Sequence, residues 1–171
     1  MTNAPEGPRR LDIELLALDL DTCGRCTGTA ANLDDALASV AGVLREAGVE
    51  VGVDKTVVRT REEAERLRFS SSPTIRVNGR DIALELRESS CADCGSLCGC
   101  EGGVDCRVWV WRGREYTEAP KAMIVDAVLR AYAAAGSPAP DETHRMPDNL
   151  RRFCDAKRPE RASCCGGGAA R

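Results

Sequence analysis

The sequence predicts an α/β domain in which a central mixed sheet is flanked by helices. Three observations lead to this prediction. An apolar run precedes a C-x-x-C motif and a long helical stripe, a second strand-like and helical pair follows, and a strand, a hairpin and a final helix complete the order. Strands that alternate with helical patterns are typical of βαβ units. With 171 residues, the chain is long enough for one such domain and an appendage.

The first half of the domain is expected to run strand, helix, strand. Residues 11–18 are almost continuously apolar, as in a central strand that is buried on both faces. Apolar residues then recur at helical spacing up to Ala47, with Asn32 as the expected N-cap and Gly48 as the end of the helix. Residues 49–53 alternate apolar and other residues, which predicts the second strand.

The second half begins with a capping signal. Thr60 and Glu63 fit a capping box, which predicts a short helix that residues 70–73 (Ser-Ser-Ser-Pro) end. The remaining expected elements are, in order, a strand at residues 74–77, a hairpin turn at Asn78-Gly79, a hairpin over residues 107–117 and a helix with Pro120 in its first turn.

Composition excludes several classes of function. The net charge is −3 with 30% charged residues, so we expect no nucleic-acid partner. No segment approaches the ~20 apolar residues that span a bilayer, and residues 1–10 lack the apolar run of a secretory signal, so we expect no membrane partner and a cytoplasmic protein. In that compartment, ten cysteines indicate redox or metal chemistry rather than structural disulfides.

Cys23 and Cys26 form a C-x-x-C pair at the expected start of the first helix. The helix dipole and the backbone N–H groups there favour a thiolate, and Arg25 adds positive charge. We therefore expect Cys23 to be the exposed attacking thiol and Cys26 to resolve the mixed disulfide. The same spacing also occurs in half of a zinc site, but the flanking strand and helix favour the redox interpretation.

A second group of cysteines lies in residues 88–106, which have no apolar period and are expected to be a loop insertion without a core of its own. Four interpretations of this group remain open: a structural metal such as zinc, an iron–sulfur cluster, a trigonal thiolate site for As(III) or Hg(II), and disulfides that pass electrons to the C-x-x-C pair. The candidate metal ligands are Cys91, Cys94, Cys98, Cys100 and Cys106.

The two ends of the chain are expected to lie outside the domain. Residues 1–9 suggest a disordered arm, and residues 136–171 a flexible tail with a short helix around residues 147–157. The tail carries Cys154, expected on a helix face or as a free thiol, and the adjacent pair Cys164-Cys165, whose role stays open between soft-ion or electron transfer and none.

The order of elements over residues 10–135 resembles the thioredoxin fold. Two motifs carry the resemblance: Cys23-Gly24-Arg25-Cys26 after the first strand, and Ser72-Pro73-Thr74 before the third. It implies that Pro73 is cis and faces the dithiol, and that the backbone of Ser72 pairs with substrate. As a whole, the chain is similar to an uncharacterised thioredoxin-like domain-of-unknown-function family within the thioredoxin/glutaredoxin superfamily.

This resemblance is incomplete and leaves two functions to compare. Thr22 and Arg25 stand where thioredoxin has Trp and Pro, and the insertion and the tail are additional. The first function is a thiol–disulfide oxidoreductase that acts on a protein or small-molecule disulfide or thiol. The second is a thiolate-based binding or carrier protein for zinc, arsenic or mercury, in which Cys23 and Cys26 are ligands.

Overall fold

The structure is a computed structural model that describes residues 9–100, 103–134 and 145–156. The elements are, in chain order, β1 (Arg9–Ala17), α1 (Gly24–Glu46), β2 (Val49–Val57), α2 (Arg61–Arg66), β3 (Thr74–Val77), β4 (Arg80–Asp81), β5 (Arg87–Cys91), α3 (Ala92–Cys98), β6 (Val104–Trp111), β7 (Arg114–Tyr116), α4 (Lys121–Ala133) and α5 (Asp148–Ala156). The expected mixed α/β class, with helices flanking the sheets, is confirmed.

The first sheet has the strand order β2-β1-β3-β4. β1 is parallel to β2 and antiparallel to β3, which is antiparallel to β4. The expected central position of β1 is therefore confirmed. Both of its faces are buried only at the carboxyl end, at Leu15, Leu16 and Ala17, whereas its amino half alternates exposed and buried residues. This fully buried end leads into the turn that carries Cys23.

The second sheet is antiparallel with the order β5-β6-β7. It corrects the expectation that residues 88–106 form a loop without a core. These residues form most of β5, all of α3 and the start of β6. Cys91, Cys94 and Cys106 are all buried there, so the cysteines themselves occupy the apolar positions of this segment. When these cysteines are counted only as ligands, residues 88–106 have no apolar pattern, and β5, α3 and the start of β6 are not predicted.

Two apolar clusters form the core. The first joins β1, α1, β3, β6 and α4, and includes Leu33 and Trp109. The second surrounds the carboxyl end of β1 and contains most of the buried cysteines together with Phe69 and two residues of α5, Leu150 and Phe153. The thiols therefore lie inside a packed core.

Several local expectations hold, and two are corrected. The capping box is confirmed, because the Thr60 side chain accepts from the Glu63 N–H and the Glu63 side chain reaches back to the Thr60 backbone. Asn32 is not an N-cap, since α1 already begins at Gly24 and the Asn32 side chain donates instead to the Ala119 carbonyl. Pro120 is itself the N-cap of α4 and not its first residue.

The expected helix near residue 150 is present as α5, but it does not behave as part of a separate tail. Met146, Leu150 and Phe153 pack into the second cluster, and the Asn149 side chain bonds both backbone groups of Asp105 in β6. Apolar burial thus extends the domain past residue 136.

The expectations for residues 1–8 and for Cys164-Cys165 concern positions outside the described residues. Among the helices of the described ranges, none combines the length and the apolar character that crossing a bilayer requires.

Candidate functional site: a buried thiol cluster

Two carboxylates shape the turn that places Cys23 at the start of α1. Asp19 Oδ1 accepts the backbone N–H groups of Asp21, Thr22 and Cys23 at 3.1, 2.6 and 2.8 Å. Asp93, which lies on α3, accepts the Gly24 N–H at 2.9 Å. The first N–H groups of a helix have no partner within the helix, so these carboxylates satisfy them. Asp93 also joins α3 to the amino end of α1.

The insertion brings three further cysteines to this point. Cys91 is the N-cap of α3, and Cys94 follows three residues later, which puts both on one face of that helix. Cys106 lies on β6, opposite Ser89 of β5. The Arg25 guanidinium holds the two strands against α1, because it donates to the carbonyls of Ser89, Ser90 and Cys106 and to the Ser89 hydroxyl.

The sulfur atoms of these cysteines meet in one place. Cys23 Sγ lies 3.6 Å from Cys94 Sγ and 3.9 Å from Cys91 Sγ, and Cys106 Sγ lies 3.4 Å from Cys94 Sγ. Each separation is far longer than the ~2.05 Å of a disulfide, so the thiols are in contact but not bonded. The four residues are at most 4% exposed. We call Cys23, Cys91, Cys94 and Cys106 the thiol cluster.

Cys26 lies beside the cluster and contacts the loop before β3. Its Sγ is 3.4 Å from Ser72 Oγ, which also accepts the Leu18 N–H at 3.0 Å. The Ser72–Pro73 peptide bond is cis, as the resemblance implied. The Ser72 carbonyl, however, accepts the Arg107 N–H of β6 at 2.7 Å. Strand β6 therefore occupies the backbone acceptor that the resemblance assigned to substrate.

Hydrogen bonds among the thiols distribute their protons unequally. The neighbouring thiols hold the pKa of Cys23 far below its ordinary value, Cys106 first and then Cys26 and Cys94. The pKa of Cys26 is raised, first by its hydrogen bond to Cys23. The pKa values of Cys94 and Cys106 are also raised, first by hydrogen bonds to Cys106 and Cys23 respectively. These opposite directions favour Cys23 over its neighbours as the thiolate of the cluster.

Residues 11–128 match the family described as Domain of unknown function (DUF2703), which is more than half of the chain. The chain belongs to this family. The matched range includes the whole thiol cluster, Cys26 and the cis proline, and ends within α4. No curated protein and no solved structure matches the chain.

The geometry of this DUF2703 chain corrects the expected exposure of Cys23. Its side chain is completely buried, because α3 and β5 contact the start of α1 and the second apolar cluster, which includes residues of α5, surrounds it. Arg25 does not point its charge at the sulfur atoms, since its guanidinium hydrogen bonds are directed to the carbonyls of the second sheet and to a serine hydroxyl. Cys23 is therefore not an attacking thiol at the surface in this structure.

The structure also regroups the predicted site residues. Sequence reasoning separated the C-x-x-C pair from the cysteines of residues 88–106, whereas Cys23 is in contact with Cys91 and Cys94. Cys98 and Cys100 are bonded to each other, so in this form they are not thiolate ligands. Cys154 is a free, buried thiol whose pKa is raised, first by burial.

Two residues that shape the site, Asp19 and Asp93, were not predicted from the sequence. Asp19 has a sequence signal, because an Asp at the end of a strand, a few residues before a helix, is a common acceptor for turn N–H groups. Asp93 has none, since its partner Gly24 lies 69 residues away in the chain.

Proposed function

We propose that this protein binds a soft metal or metalloid ion, with Cys23, Cys91, Cys94 and Cys106 as ligands. The observation that carries the proposal is the convergence, in one buried cluster, of sulfur atoms from the start of α1, from α3 and from β6. Cys23, Cys91 and Cys94 have sulfur atoms that all lie within 4.8 Å of one another, and Cys106 joins these three through its contact with Cys94.

The spacing of the sulfur atoms suits a common centre. Zinc binds thiolates at ~2.3 Å in tetrahedral geometry, which separates neighbouring sulfur atoms by about 3.8 Å. The two distances from Cys23, 3.6 and 3.9 Å, bracket this value, and the 3.4 Å between Cys94 and Cys106 is slightly shorter. Cys106 Sγ lies outside the group of three sulfur atoms that are all within 4.8 Å of one another, so its side chain would rotate towards the other sulfur atoms when an ion binds.

The chemistry of the donors favours a thiophilic ion. The cluster consists of sulfur alone, and soft thiolate ligands select ions such as Zn(II), Cu(I), As(III) and Hg(II) over Mg(II) or Ca(II). Several thiolates inside an apolar core repel one another and lose their hydration, so a bound cation would stabilise the deprotonated cluster. Zinc is the first candidate, because closed four-thiolate sites are typical of structural zinc.

We further propose that the scaffold is thioredoxin-like and that it works in a reducing compartment such as the cytoplasm. The chain order β1, C-x-x-C, α1, β2, α2, cis proline, β3, β4 supports the fold, with α4 completing the domain. Free thiols at six described positions suit a compartment in which glutathione keeps cysteines reduced.

Thiol–disulfide exchange is the second candidate, and the contact between Cys26 and Ser72 beside the cis proline favours it. In that reaction the Cys23 thiolate attacks a substrate disulfide and expels one thiolate. Cys26 then attacks the mixed disulfide, which releases the reduced product and leaves a Cys23–Cys26 disulfide. The buried position of Cys23 requires the cover made by α3 and α5 to open first.

Metal binding is tested on reduced protein that is purified without oxygen. We expect about one tightly bound zinc or Cd(II) ion per chain and a loss of accessible thiols on loading. Cys94→Ser should abolish stoichiometric binding. The matched control is Cys154→Ser, which removes a buried thiol that lies outside the cluster and should leave binding unchanged. Equal binding by the two variants would reject the proposed ligand set.

The exchange reaction is tested separately by disulfide reduction with a chemical reductant as electron source. Wild-type protein and Cys23→Ser are compared at equal concentration. Equal rates would remove the second candidate, whatever the metal experiment shows.

A further inference from the structure

The described cysteines fall into two sets that differ in exposure. All six free thiols are buried, which includes the whole thiol cluster. Cys98 and Cys100, which are bonded to each other, are the only described cysteines that are partly exposed. Any ion that enters by exchange from one sulfur to the next would thus meet these two residues before the cluster, as far as the described residues extend.

The local fold joins this surface pair to the cluster. Cys94 and Cys98 are four residues apart on α3, which places them one above the other on the same helix face. Cys98 and Cys100 also pack against the second apolar cluster. Gly99 ends α3 in the left-handed conformation, with φ of 61°, and so turns Cys100 back towards Cys98.

We propose that Cys98 and Cys100 are a redox-controlled entrance for the ion that the thiol cluster binds. The proposal rests on the proposed metal-binding function and adds a route and a means of regulation. When the pair is oxidised, no described thiol is offered at the surface and loading is slow. When it is reduced, two neighbouring thiols receive the ion and pass it inward to Cys94.

Opening the entrance consumes two electrons from a low-molecular-weight thiol, such as a glutathione-type reductant. One small thiolate attacks the Cys98–Cys100 bond, which forms a mixed disulfide and releases one cysteine thiolate. A second small thiol attacks the mixed disulfide, which frees the other cysteine and leaves the small molecule as its disulfide. The sum is one protein disulfide reduced and two small thiols oxidised.

The transfer that follows involves no change of oxidation state. Cys98 and Cys100 bind the ion as it leaves its small-thiol complex. Cys94 then forms a metal–sulfur bond while the bond to Cys98 breaks, and the proton of Cys94 passes to the released thiolate. Cys23, Cys91 and Cys106 then complete the coordination while the bond to Cys100 breaks, and the protons that the incoming cysteines give up pass to the Cys100 thiolate and to solvent. The surface pair is then free for another ion.

The test follows Cd(II) uptake from a small-thiol complex by thiolate-to-metal absorption. Full-length reduced wild-type protein is compared with Cys98→Ser/Cys100→Ser, with Cys94→Ser, and with Cys154→Ser as a control. The double variant should bind the same amount of Cd(II) at equilibrium, but about tenfold or more slowly, because it lacks the intramolecular transfer. Wild-type protein with the Cys98–Cys100 disulfide intact should be equally slow over times that are short compared with the reduction of this disulfide by the small thiol.

The outcomes separate the two proposals. If reduced wild-type protein takes up no Cd(II), both the proposed metal-binding function and the proposed entrance are wrong. If it binds Cd(II) and the double variant loads at the wild-type rate, only the entrance is wrong. A lower stoichiometry in the double variant also overturns the entrance, since Cys98 and Cys100 would then be ligands. Slow loading in Cys164→Ser/Cys165→Ser alone would assign the entrance to that pair instead.

Discussion

Helix α5 packs on the apolar cluster that contains Cys23, and Phe153 is the only aromatic residue of this helix. Phe153 is completely buried in the same apolar cluster as Cys23. Two polar contacts also tie α5 down: Asn149 bonds the backbone of Asp105, and Asp155 pairs with Arg61 at 2.7 Å. We predict that Phe153→Ala opens this cover and exposes the cluster.

The expected size of the effect follows from burial. Removing a fully buried Phe side chain costs about 3–5 kcal/mol. Each 1.4 kcal/mol changes an equilibrium about tenfold, and α5 is joined to the domain by the packing of Leu150 and Phe153 and by the polar contacts of Asn149 and Asp155. If the whole loss of free energy acts on the docking of α5, the population of the undocked state rises between about 10²-fold and about 4 × 10³-fold.

The assay measures the rate at which a chromogenic disulfide reagent labels the buried thiols under native conditions. The global free energy of unfolding is measured in parallel by urea denaturation. Phe153→Ala should speed labelling far more than the global loss of stability alone explains, because α5 opens locally. Arg152→Ala, at an exposed position of the same helix, is the matched control and should label at the wild-type rate. Labelling of Phe153→Ala that follows global unfolding alone would refute the role of α5 as the cover.

Four further predictions follow from the site. Arg25→Lys removes the guanidinium group that donates hydrogen bonds to carbonyls of β5 and β6. We therefore expect the free energy of unfolding, measured by urea denaturation, to fall by about 2 kcal/mol, and metal binding to weaken. Ser72→Ala leaves a buried N–H without its acceptor and should cost about 1–3 kcal/mol, and an unchanged urea midpoint would contradict this. Burial raises the pKa of Cys154, so the folded state keeps this proton after the unfolded chain has lost it. Its contribution to stability is therefore complete below the ordinary thiol pKa of about 8.5 and is lost as pH rises towards the folded pKa. Cys154→Ser should accordingly flatten the alkaline loss of unfolding free energy in metal-free protein. Finally, a chelator should lower the Tm of loaded protein, since free ion at 100 times Kd adds about 2.7 kcal/mol, and an unchanged Tm would argue against a bound ion.

Local signals in the sequence predicted much of the fold. The Thr60 capping box, the Asn78-Gly79 turn and the helix directly after the C-x-x-C motif depend on neighbours within a few residues. The central position of β1 was predicted from its nearly continuous apolar run. The cis bond at Pro73 was implied by the resemblance and not by the dipeptide itself.

The site could not be predicted in the same way, because its contacts are not local. Cys94 lies 71 residues from Cys23, and no spacing rule relates the two. Cysteine is also ambiguous in a sequence, since it can be a ligand, a redox group or a small apolar residue. In residues 88–106 it is apolar enough to build β5, α3 and β6, and the same burial that gives these elements a core conceals Cys23.

The central claim is that sulfur atoms from α1, α3 and β6 share one ion, and X-ray absorption spectroscopy of zinc-loaded protein tests it most directly. The account predicts about four sulfur neighbours at ~2.3 Å and no nitrogen or oxygen in the coordination shell. In Cys94→Ser this shell should lose sulfur or fail to form, whereas Cys154→Ser should give the wild-type spectrum. A shell dominated by nitrogen and oxygen, or a reduced protein that retains no zinc, would contradict the account.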